Sequence, residues 1–211
     1  MSLTCEGLSA ARGDRVLFKD ISFTLHGGDA LWVRGANGSG KSTLLRLLCG
    51  LGLPLEGEVR WCRQPIRQVR EYFHRHVLYA GHASGIKDDL LAWENVATAA
   101  ALAGQRCTRA QALQALERIG LQAQAQLPAR VLSQGQRRRV ALARLYLEPL
   151  PSVLLLDEPF SALDQDAVAG LCGRLEQHLA SGGTLVYTTH QAVPFQAPRV
   201  EQLDLGTGAA C

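Results

Sequence analysis

Short apolar segments alternate with longer segments of helical spacing over most of this chain. Segments 41–51 and 165–180 carry apolar residues at helical spacing, and the first ends in a cluster of glycines and a proline, which predicts two helices. Strands are predicted for the short apolar segments 21–25, 30–34, 58–62, 77–80, 153–156, 184–188 and 200–205. Strands that alternate with helices predict an α/β fold around a mainly parallel sheet.

The pattern changes in the middle of the chain, where residues typical of strands become scarce. Segments 90–102, 109–119 and 136–147 are rich in Ala, Leu and Gln at helical spacing, which predicts three helices. We therefore expect a single domain over residues 1–211. Its α/β core is expected at about 1–82 and 149–211, and an inserted helical subdomain at about 83–148.

Composition narrows the classes of protein to consider. Apolar residues make up 47% of the chain, which is enough to bury a core. The net charge of +3, from 22 basic and 19 acidic residues, is too even for a nucleic-acid-binding protein, so no nucleic-acid partner is expected. No apolar run approaches the ~18–20 residues of a bilayer span, and the N-terminus lacks the pattern of a signal peptide.

The six cysteines do not show the spacing of a metal site. We interpret them as reduced thiols of a cytosolic protein. Any link to a membrane is therefore expected to come through a partner.

A glycine-rich segment between a predicted strand and a predicted helix matches the phosphate-binding pattern G-x-x-x-x-G-K-[ST]. The glycines let backbone N–H groups turn toward phosphate oxygens, and the helix N-terminus adds its positive dipole end. Lys41 is expected to reach the β- and γ-phosphates of a nucleotide, and Ser42 to ligate Mg²⁺. The expected nucleotide-binding residues are Gly35, Ala36, Asn37, Gly38, Ser39, Gly40, Lys41, Ser42 and Thr43.

Two carboxylates, Asp157 and Glu158, follow the apolar strand predicted at 153–156. Such a pair alone is typical of a solvated loop or a helix cap, but the upstream phosphate-binding pattern favours catalysis. Asp157 is expected to hold Mg²⁺ through its water shell, and Glu158 to act as the general base toward the attacking water. The residues considered so far predict a Mg²⁺-dependent ATPase.

A short polar segment lies before the helix predicted at 136–147. Ser133 with Gln136 fits a capping box, so a purely structural cap is one interpretation. The segment also resembles the LSGGQ signature of the ABC ATPase family, with Gln134 in place of the first glycine. The residues concerned are Leu132, Ser133, Gln134, Gly135 and Gln136.

Further motifs resemble this family in the same order along the chain. His190, after an apolar strand, resembles the switch histidine that contacts the γ-phosphate, and His82 stands where the family usually has a glutamine near Mg²⁺ and water. The charge of a histidine there varies with pH. Arg12 stands near the usual adenine-stacking aromatic, as a stacking group or as a plain surface arginine. The residues that resemble the family's D-loop are Ser161, Ala162, Leu163 and Asp164.

This resemblance covers nearly the whole chain and implies a P-loop NTPase fold of the ABC type. It implies an ATP hydrolase in which two copies form a homodimer in the ATP-bound state. Each nucleotide then lies between one copy's phosphate loop and the other's signature, so that Ser133 and Gly135 contact the partner's γ-phosphate. Catalytic roles are implied for Lys41, Glu158 and His190, and a catalytic and metal-binding role for His82.

Residues 79–95 resemble one group within this family, the ATP-binding subunits of the cytochrome c maturation system. That resemblance implies haem export, or release of a haem-loaded periplasmic chaperone, with integral membrane subunits as partners. It implies a peripheral position on the cytoplasmic face of the bacterial inner membrane. Segment 84–95 is expected to contact the membrane subunit through Ile86 and Trp93, although Trp93 equally fits the core of the helical subdomain. No direct haem contact is expected.

Two other interpretations remain open. The chain also fits the ATPase subunit of another small ABC exporter. A protein that acts on the ribosome or DNA without a membrane partner is disfavoured, because the chain has one ATPase cassette and a modest net charge. A P-loop kinase outside this family is excluded by the signature and the switch histidine.

Overall fold

The structure is a computed structural model that describes residues 1–191, 193, 195, 197 and 199–206. Cys211, one of the six expected thiols, lies outside the described residues, and the other five cysteines are free. The strands are β1 Ser2–Arg12, β2 Arg15–His26, β3 Asp29–Arg34, β4 Glu56–Trp61, β5 Gln64–Pro65, β6 Val77–Ala80, β7 Val153–Leu156, β8 Thr184–Thr188 and β9 Arg199–Asp204.

Among the described residues, six α-helices accompany these strands, and two 3-10 turns occur at Ala129–Val131 and Ala143–Tyr146. In the described part of the chain no helix is both long and apolar enough to span a bilayer. The helices are α1 Lys41–Leu48, α2 Arg70–His74, α3 Ala92–Leu102, α4 Arg109–Arg118, α5 Gln134–Leu142 and α6 Gln165–Ala180.

The helix predicted at 41–51 ends earlier, at Leu48. Gly50 has a φ of 73°, and its N–H donates to the Leu47 carbonyl. The N–H of Leu51 donates back to the Arg46 carbonyl. These two bonds form a Schellman motif, in which a left-handed glycine satisfies the last carbonyls of the helix and reverses the chain.

The helix predicted at 136–147 also differs from the structure. It begins at Gln134 and gives way to the 3-10 turn Ala143–Tyr146. The carbonyl of Leu145 in that turn accepts a hydrogen bond of 2.7 Å from Arg174 Nε on α6. The 3-10 turn that follows this helix is therefore held by a tertiary contact, which the local spacing of apolar residues does not predict.

Five parallel strands form the central sheet in the order β6-β7-β8-β3-β9. All four residues of β7 are fully buried, because this strand is covered on both faces. Val153 and Leu155 face one apolar core, and Leu154 and Leu156 face the other. The mainly parallel α/β core predicted from the sequence is confirmed.

A second sheet is antiparallel, in the order β2-β1-β4-β5, and covers one face of the domain. Its strand β1 was not predicted, because the alternation of apolar residues breaks at Gly7. The register of β1 against β2 shifts between Cys5 and Leu8, and Gly7 has a φ of 59°. Such an irregularity interrupts the period of two by which a strand with one buried face is recognised.

The two apolar cores lie on opposite faces of the central sheet. One core joins α1 to both sheets and includes Leu44, Leu48 and Trp61. The other joins α6 to the helices between β6 and β7, where α3, α4 and α5 pack on one another. This arrangement leaves the carboxyl ends of the parallel strands open along one edge of the sheet.

Candidate functional site

The predicted phosphate loop, carboxylates and histidines follow neighbouring strands of the central sheet. Strands β6, β7, β8 and β3 are adjacent and parallel, so the residues after each strand meet at one edge. They line an open cleft of about 580 Å³. The predicted site residues on its wall are Asn37, Gly38, Gly40, Lys41, Ser42, Thr43, His82, Asp157, Glu158, Ser161 and His190.

The phosphate loop is closely packed against its surroundings. A Cβ at Gly35 would lie 2.5 Å from Ser39 Oγ, and one at Gly40 would lie 3.0 Å from the Leu17 Cβ. Both glycines have positive φ, 145° and 102°, which also favours glycine there. Lys41 is buried under the loop, and its Nζ donates to the carbonyls of Gly35 (2.7 Å) and Ala36 (3.2 Å). The loop therefore forms a glycine-lined cradle with a lysine ammonium beneath it.

Asp157 is buried at the end of β7 and is held by Thr188 at the end of β8. Its Oδ1 accepts from Thr188 Oγ1 at 2.9 Å, and the same hydroxyl accepts from the Glu158 N–H at 2.8 Å. The second oxygen of Asp157, Oδ2, is buried without a hydrogen-bond partner among the described residues. A buried carboxylate oxygen with free lone pairs, in a cleft that Ser42 also lines, suits Mg²⁺, which prefers oxygen ligands and retains water.

The backbone of Glu158 adopts the left-handed region, with a φ of 52°. This conformation is uncommon for a residue with a side chain and persists only where neighbours hold it. The Glu158 carbonyl accepts from Ser161 Oγ at 2.8 Å and from Arg138 Nη2 at 3.2 Å. Its carboxylate Oε1 lies 3.3 Å from His190 Nε2, within the range of an ion pair.

The two histidines that sequence analysis singled out reach the cleft from different strands. His190 follows β8 and is half-exposed, with its imidazole next to the Glu158 carboxylate. His82 follows β6 and is exposed on the same wall. Both residues are therefore accessible from the cleft.

The predicted signature lies outside this cleft, at the start of α5. Ser133 Oγ accepts from the Gln136 N–H at 3.2 Å, and Gln136 Oε1 accepts from the Ser133 N–H at 2.9 Å. The predicted capping box is thus confirmed. Ser133 and Gln134 are exposed, and no signature residue is among the described residues that line the cleft. Within one chain, the signature and the phosphate loop therefore do not share a binding surface.

The segment predicted as a D-loop lies between these two surfaces. Ser161 lines the cleft, whereas Asp164 caps α6 by accepting from the Ala167 N–H at 2.9 Å. Asp164 also forms an ion pair with Arg139 of α5. The Ala167 N–H, followed by the hydrogen bond from Arg139, lowers the pKa of the Asp164 carboxyl.

Sequence reasoning singled out Arg12 but missed other groups that help to build the site. Arg12 lies on the cleft wall, with Arg15 and Leu17 from the same β1–β2 hairpin beside it. The Thr188 hydroxyl joins the Asp157 carboxylate to the backbone N–H of Glu158, but only the pairing of β7 with β8 brings it there. Arg12, which stands near the family's usual aromatic residue, was the sequence feature that could have pointed to this hairpin. No local sequence feature marked Thr188.

Segment 84–95 borders a second groove, between β6 and the helices α3 and α5. Ile86 lines this groove, as do Ser84 and Leu102. Asn95 is buried and fixes the segment: its Oδ1 accepts from the Lys87 N–H at 2.7 Å, and its Nδ2 donates to the Lys87 and Leu90 carbonyls. Trp93 instead packs against the helical core, with the Arg109 guanidinium 5.2 Å from its ring centre. Of the two interpretations of Trp93, a place in the core of the helical subdomain is therefore favoured over a contact with the membrane subunit.

A glycine-lined phosphate cradle with a buried lysine, in one cleft with two carboxylates at the end of a central parallel strand, defines a P-loop ATPase. Residues 18–161 match the sequence profile of the family described as "ABC transporter", which is more than half of the chain. The chain belongs to the ABC transporter family, as an ATP-binding subunit that hydrolyses ATP.

Individual relatives sharpen this comparison. The chain is 50% identical to "Cytochrome c biogenesis ATP-binding export protein CcmA" of Aromatoleum aromaticum, over 96% of this chain and 94% of that protein. It is 49% identical to the protein of the same name from Nitrosococcus oceani, over 95% and 91% of the two chains. The protein of that name from Haemophilus influenzae is 42% identical, over 91% and 90%.

Solved structures show the same fold. A putative ABC transporter ATP-binding protein from Pyrococcus furiosus superposes with a TM-score of 0.80 at 24% identity, over 96% of this chain and 98% of that one. A dimeric ATP-binding cassette in a post-hydrolysis state, bound to ADP and Pi, has a TM-score of 0.77 at 25% identity. That alignment covers 90% of this chain and 88% of the other.

Proposed function

We propose that this chain is the ATP-hydrolysing subunit of a membrane ABC transporter complex for cytochrome c biogenesis. The observation that carries this proposal is the identity of 42–50% to proteins named for that process, over at least nine-tenths of both chains. Its transport step is haem export, or release of a haem-loaded periplasmic chaperone. Both steps use the same ATPase chemistry on the cytoplasmic side.

Nucleotide binding is assigned to the phosphate loop. When ATP enters, the ammonium of Lys41 exchanges the Gly35 and Ala36 carbonyls for phosphate oxygens, which carry full negative charge. Backbone N–H groups of the glycine-lined loop and the N-terminus of α1 complete the cradle. Arg12, Arg15 and Leu17 line the cleft further out, where they contact the ribose and adenine.

Hydrolysis is assigned to the residues that follow β7 and β8. Glu158 accepts a proton from the attacking water as the water oxygen bonds to the γ-phosphorus and the bond to the ADP oxygen breaks. His190, next to the Glu158 carboxylate, orients that water and contacts the γ-phosphate. Ser42, the free Oδ2 of Asp157 and His82 would hold Mg²⁺, partly through water, and the ion would supply positive charge to neutralise the phosphates.

A homodimer is required to complete each site in this proposal. In the signature Ser133 is exposed and Gly135 is half-buried, and both lie outside the chain's own cleft, so this segment is available to a nucleotide held by a second copy. Two copies related by a two-fold axis would each contribute a phosphate loop and a signature. ATP favours the closed dimer, and loss of phosphate favours opening, which supplies two geometries to a bound membrane protein.

The membrane partner is assigned to the groove bordered by segment 84–95. Its wall includes Ile86 and Leu102, and Asn95 holds the backbone of residues 87–91 in place. A rigid groove can transmit movement of the ATPase to a helix seated in it. In this proposal the subunit is peripheral, on the cytoplasmic face of the bacterial inner membrane, and makes no direct haem contact.

The test is covalent-haem staining of c-type cytochromes in a host whose only copy of this subunit carries Glu158→Gln. The c-type signals are expected to vanish, while b-type haem proteins keep their haem because haem synthesis is unaffected. A host with Thr108→Ala, a change at the cap of α4 far from the cleft, serves as the matched control and keeps both signals. Persistence of both signals with Glu158→Gln would assign the chain to another small ABC exporter.

A further inference from the structure

A buried arginine on α5, Arg138, connects the signature helix to the chain's own cleft. Arg138 is 8% exposed and lies one turn into the helix that begins after Ser133. Its Nη1 donates to the Gly81 carbonyl at 2.6 Å, and its Nη2 donates to the Asp157 carbonyl at 2.5 Å. One side chain thus joins the loops that follow β6 and β7.

These carbonyls are next to the groups that carry the chemistry. Gly81 immediately precedes His82, and Asp157 immediately precedes Glu158. The Nη2 of Arg138 also lies 3.2 Å from the Glu158 carbonyl, where the chain adopts its left-handed φ of 52°. Because a left-handed backbone is held by its neighbours, a bond to this carbonyl helps to set where the Glu158 carboxylate points.

We propose that Arg138 is a positioning residue that places the loops of His82 and Glu158 relative to each other and ties both loops to the signature helix. A movement of α5 against a partner's nucleotide then reaches the same chain's own Glu158 through one rigid side chain. This inference rests on the proposed ATPase roles of Glu158 and His82.

The geometry of the guanidinium is what suits this role. Its two terminal nitrogens point in fixed directions, so they bind acceptors on two separate loops at once. A lysine ammonium is a point charge on a flexible stem and cannot hold three backbone carbonyls in that arrangement. Burial lowers the pKa of the Arg138 guanidinium, while Asp157 and Glu158 nearby favour its charged form.

The chain offers a matched control in Arg174. Its side chain is also largely buried, at 12% exposure, and it also donates to a backbone carbonyl of a different element, that of Leu145, at 2.7 Å. Its second contact is the Glu148 carboxylate at 2.6 Å, on a surface away from the cleft. Arg174→Ala therefore removes a comparable contact without touching the loops of the site.

The experiment compares Arg138→Ala, Arg138→Lys and Arg174→Ala in the full chain, purified with the membrane proteins that accompany it. ATPase rates give kcat and KM, binding of a fluorescent ATP analogue gives nucleotide affinity, and thermal unfolding gives Tm. For Arg138→Ala we expect kcat to fall on the order of 100-fold, with nucleotide affinity unchanged, because misplacement affects the reaction and not the phosphate loop. Arg138→Lys should lose a similar factor, and Arg174→Ala should keep kcat even if its Tm falls.

Two results would overturn the inference: normal kcat in Arg138→Ala, or recovery of kcat in Arg138→Lys, since recovery would mean that charge alone is needed. If the alanine variant does not fold, the lysine variant decides, because it keeps charge and most of the volume. Glu158→Gln in the same assay separates this inference from the proposed function. An inactive Glu158→Gln beside fully active Arg138 variants contradicts only the role of Arg138, whereas an active Glu158→Gln contradicts both.

Discussion

The phosphate-loop surface and the signature surface of this chain are built on different principles. At the phosphate loop, a lysine is buried, glycines are packed against neighbours, and a carboxylate oxygen of Asp157 has no hydrogen-bond partner among the described residues. At the signature, Ser133 and Gln136 satisfy each other in a capping box, and the surface is exposed. The first surface therefore has a buried polar atom that could still bond a ligand, whereas the polar groups of the capping box on the second surface are already bonded to each other.

Under the proposed function, this difference predicts where ATP binds and where its hydrolysis is controlled. The Asp157 oxygen lacks a hydrogen-bond partner among the described residues, and Lys41 can exchange neutral carbonyls for charged phosphate oxygens, so we expect ATP affinity to reside mainly on the first surface. The capped start of α5 already forms its own hydrogen bonds, so we expect it to contribute little to ATP affinity until a second copy brings a nucleotide to it. We therefore expect mutations on the two surfaces to separate chemistry, binding and dimer-dependent turnover.

The largest effect is expected for Glu158→Gln at the hydrolytic end of the cleft. Glutamine keeps the shape of the side chain but cannot accept the proton, so turnover should fall on the order of 100- to 10,000-fold. ATP affinity should persist, and an ATP-bound dimer should accumulate, as measured by ATPase assays and size-exclusion chromatography. Turnover like that of the unmodified chain would remove Glu158 from the role of general base.

The next effect is expected for Lys41→Ala at the phosphate loop. The variant loses charge-assisted bonds to the phosphates, each worth about 1.5–3 kcal/mol, so ATP affinity should weaken roughly 10- to 100-fold. Equilibrium binding of a fluorescent ATP analogue measures this directly. An unchanged affinity would contradict the position of the phosphate-binding cradle.

A smaller effect is expected for Ser133→Ala at the signature. Loss of the cap should destabilise the chain by about 1 kcal/mol, and loss of a bond to the partner's γ-phosphate should lower turnover about tenfold, with ATP affinity of the single chain unchanged. Thr108→Ala is the matched control, because Thr108 and Gln111 form the same capping box on α4. It should cost similar stability, measured by urea unfolding, and leave turnover intact. Equal losses of turnover in both variants would mean that Ser133 acts only as a cap.

The smallest effect is expected for Asp164→Asn, between the two surfaces. The folded-state pKa of the Asp164 carboxyl lies below its ordinary value of 3.8, so the group stabilises the fold above that pH. The contribution is lost as the pH falls through the folded-state pKa, and the unfolding free energies of the two chains should then converge. Urea unfolding at several pH values measures this convergence. If the difference in unfolding free energy between the two chains stays constant down to acidic pH, that result would contradict the assignment of the lowered pKa to the Ala167 N–H and Arg139.

Much of the site followed from local pattern because its groups occupy characteristic positions on simple elements. The phosphate loop lies between a strand and a helix, and the carboxylates follow a strand buried on both faces, as predicted. The capping box at Ser133 was predicted from two residues and is confirmed by both of its bonds. These features depend on neighbours within a few positions, so the sequence records them directly.

Other features depend on residues that are distant along the chain. Strand β1 was missed because a bulge near Gly7 breaks its alternation of apolar and polar residues. Its pairing with β2 and β4 stabilises the strand, although its local sequence does not predict one. Trp93 had two equal interpretations until the Arg109 side chain and the helical core showed where it packs. Propensity alone could not choose between these alternatives, because both are compatible with the same local sequence.

By itself the sequence determined the class of chemistry, since phosphate binding, metal ligation and proton transfer each require particular residue types at short spacing. Only the tertiary structure decided how these groups are held together. The pairing of β7 with β8 brings the Thr188 hydroxyl to the Asp157 carboxylate and the Glu158 N–H, and the packing of α5 brings Arg138 to two loops of the cleft. Contacts between residues so far apart in the chain arise from sheet order and helix packing, and no local pattern specifies either.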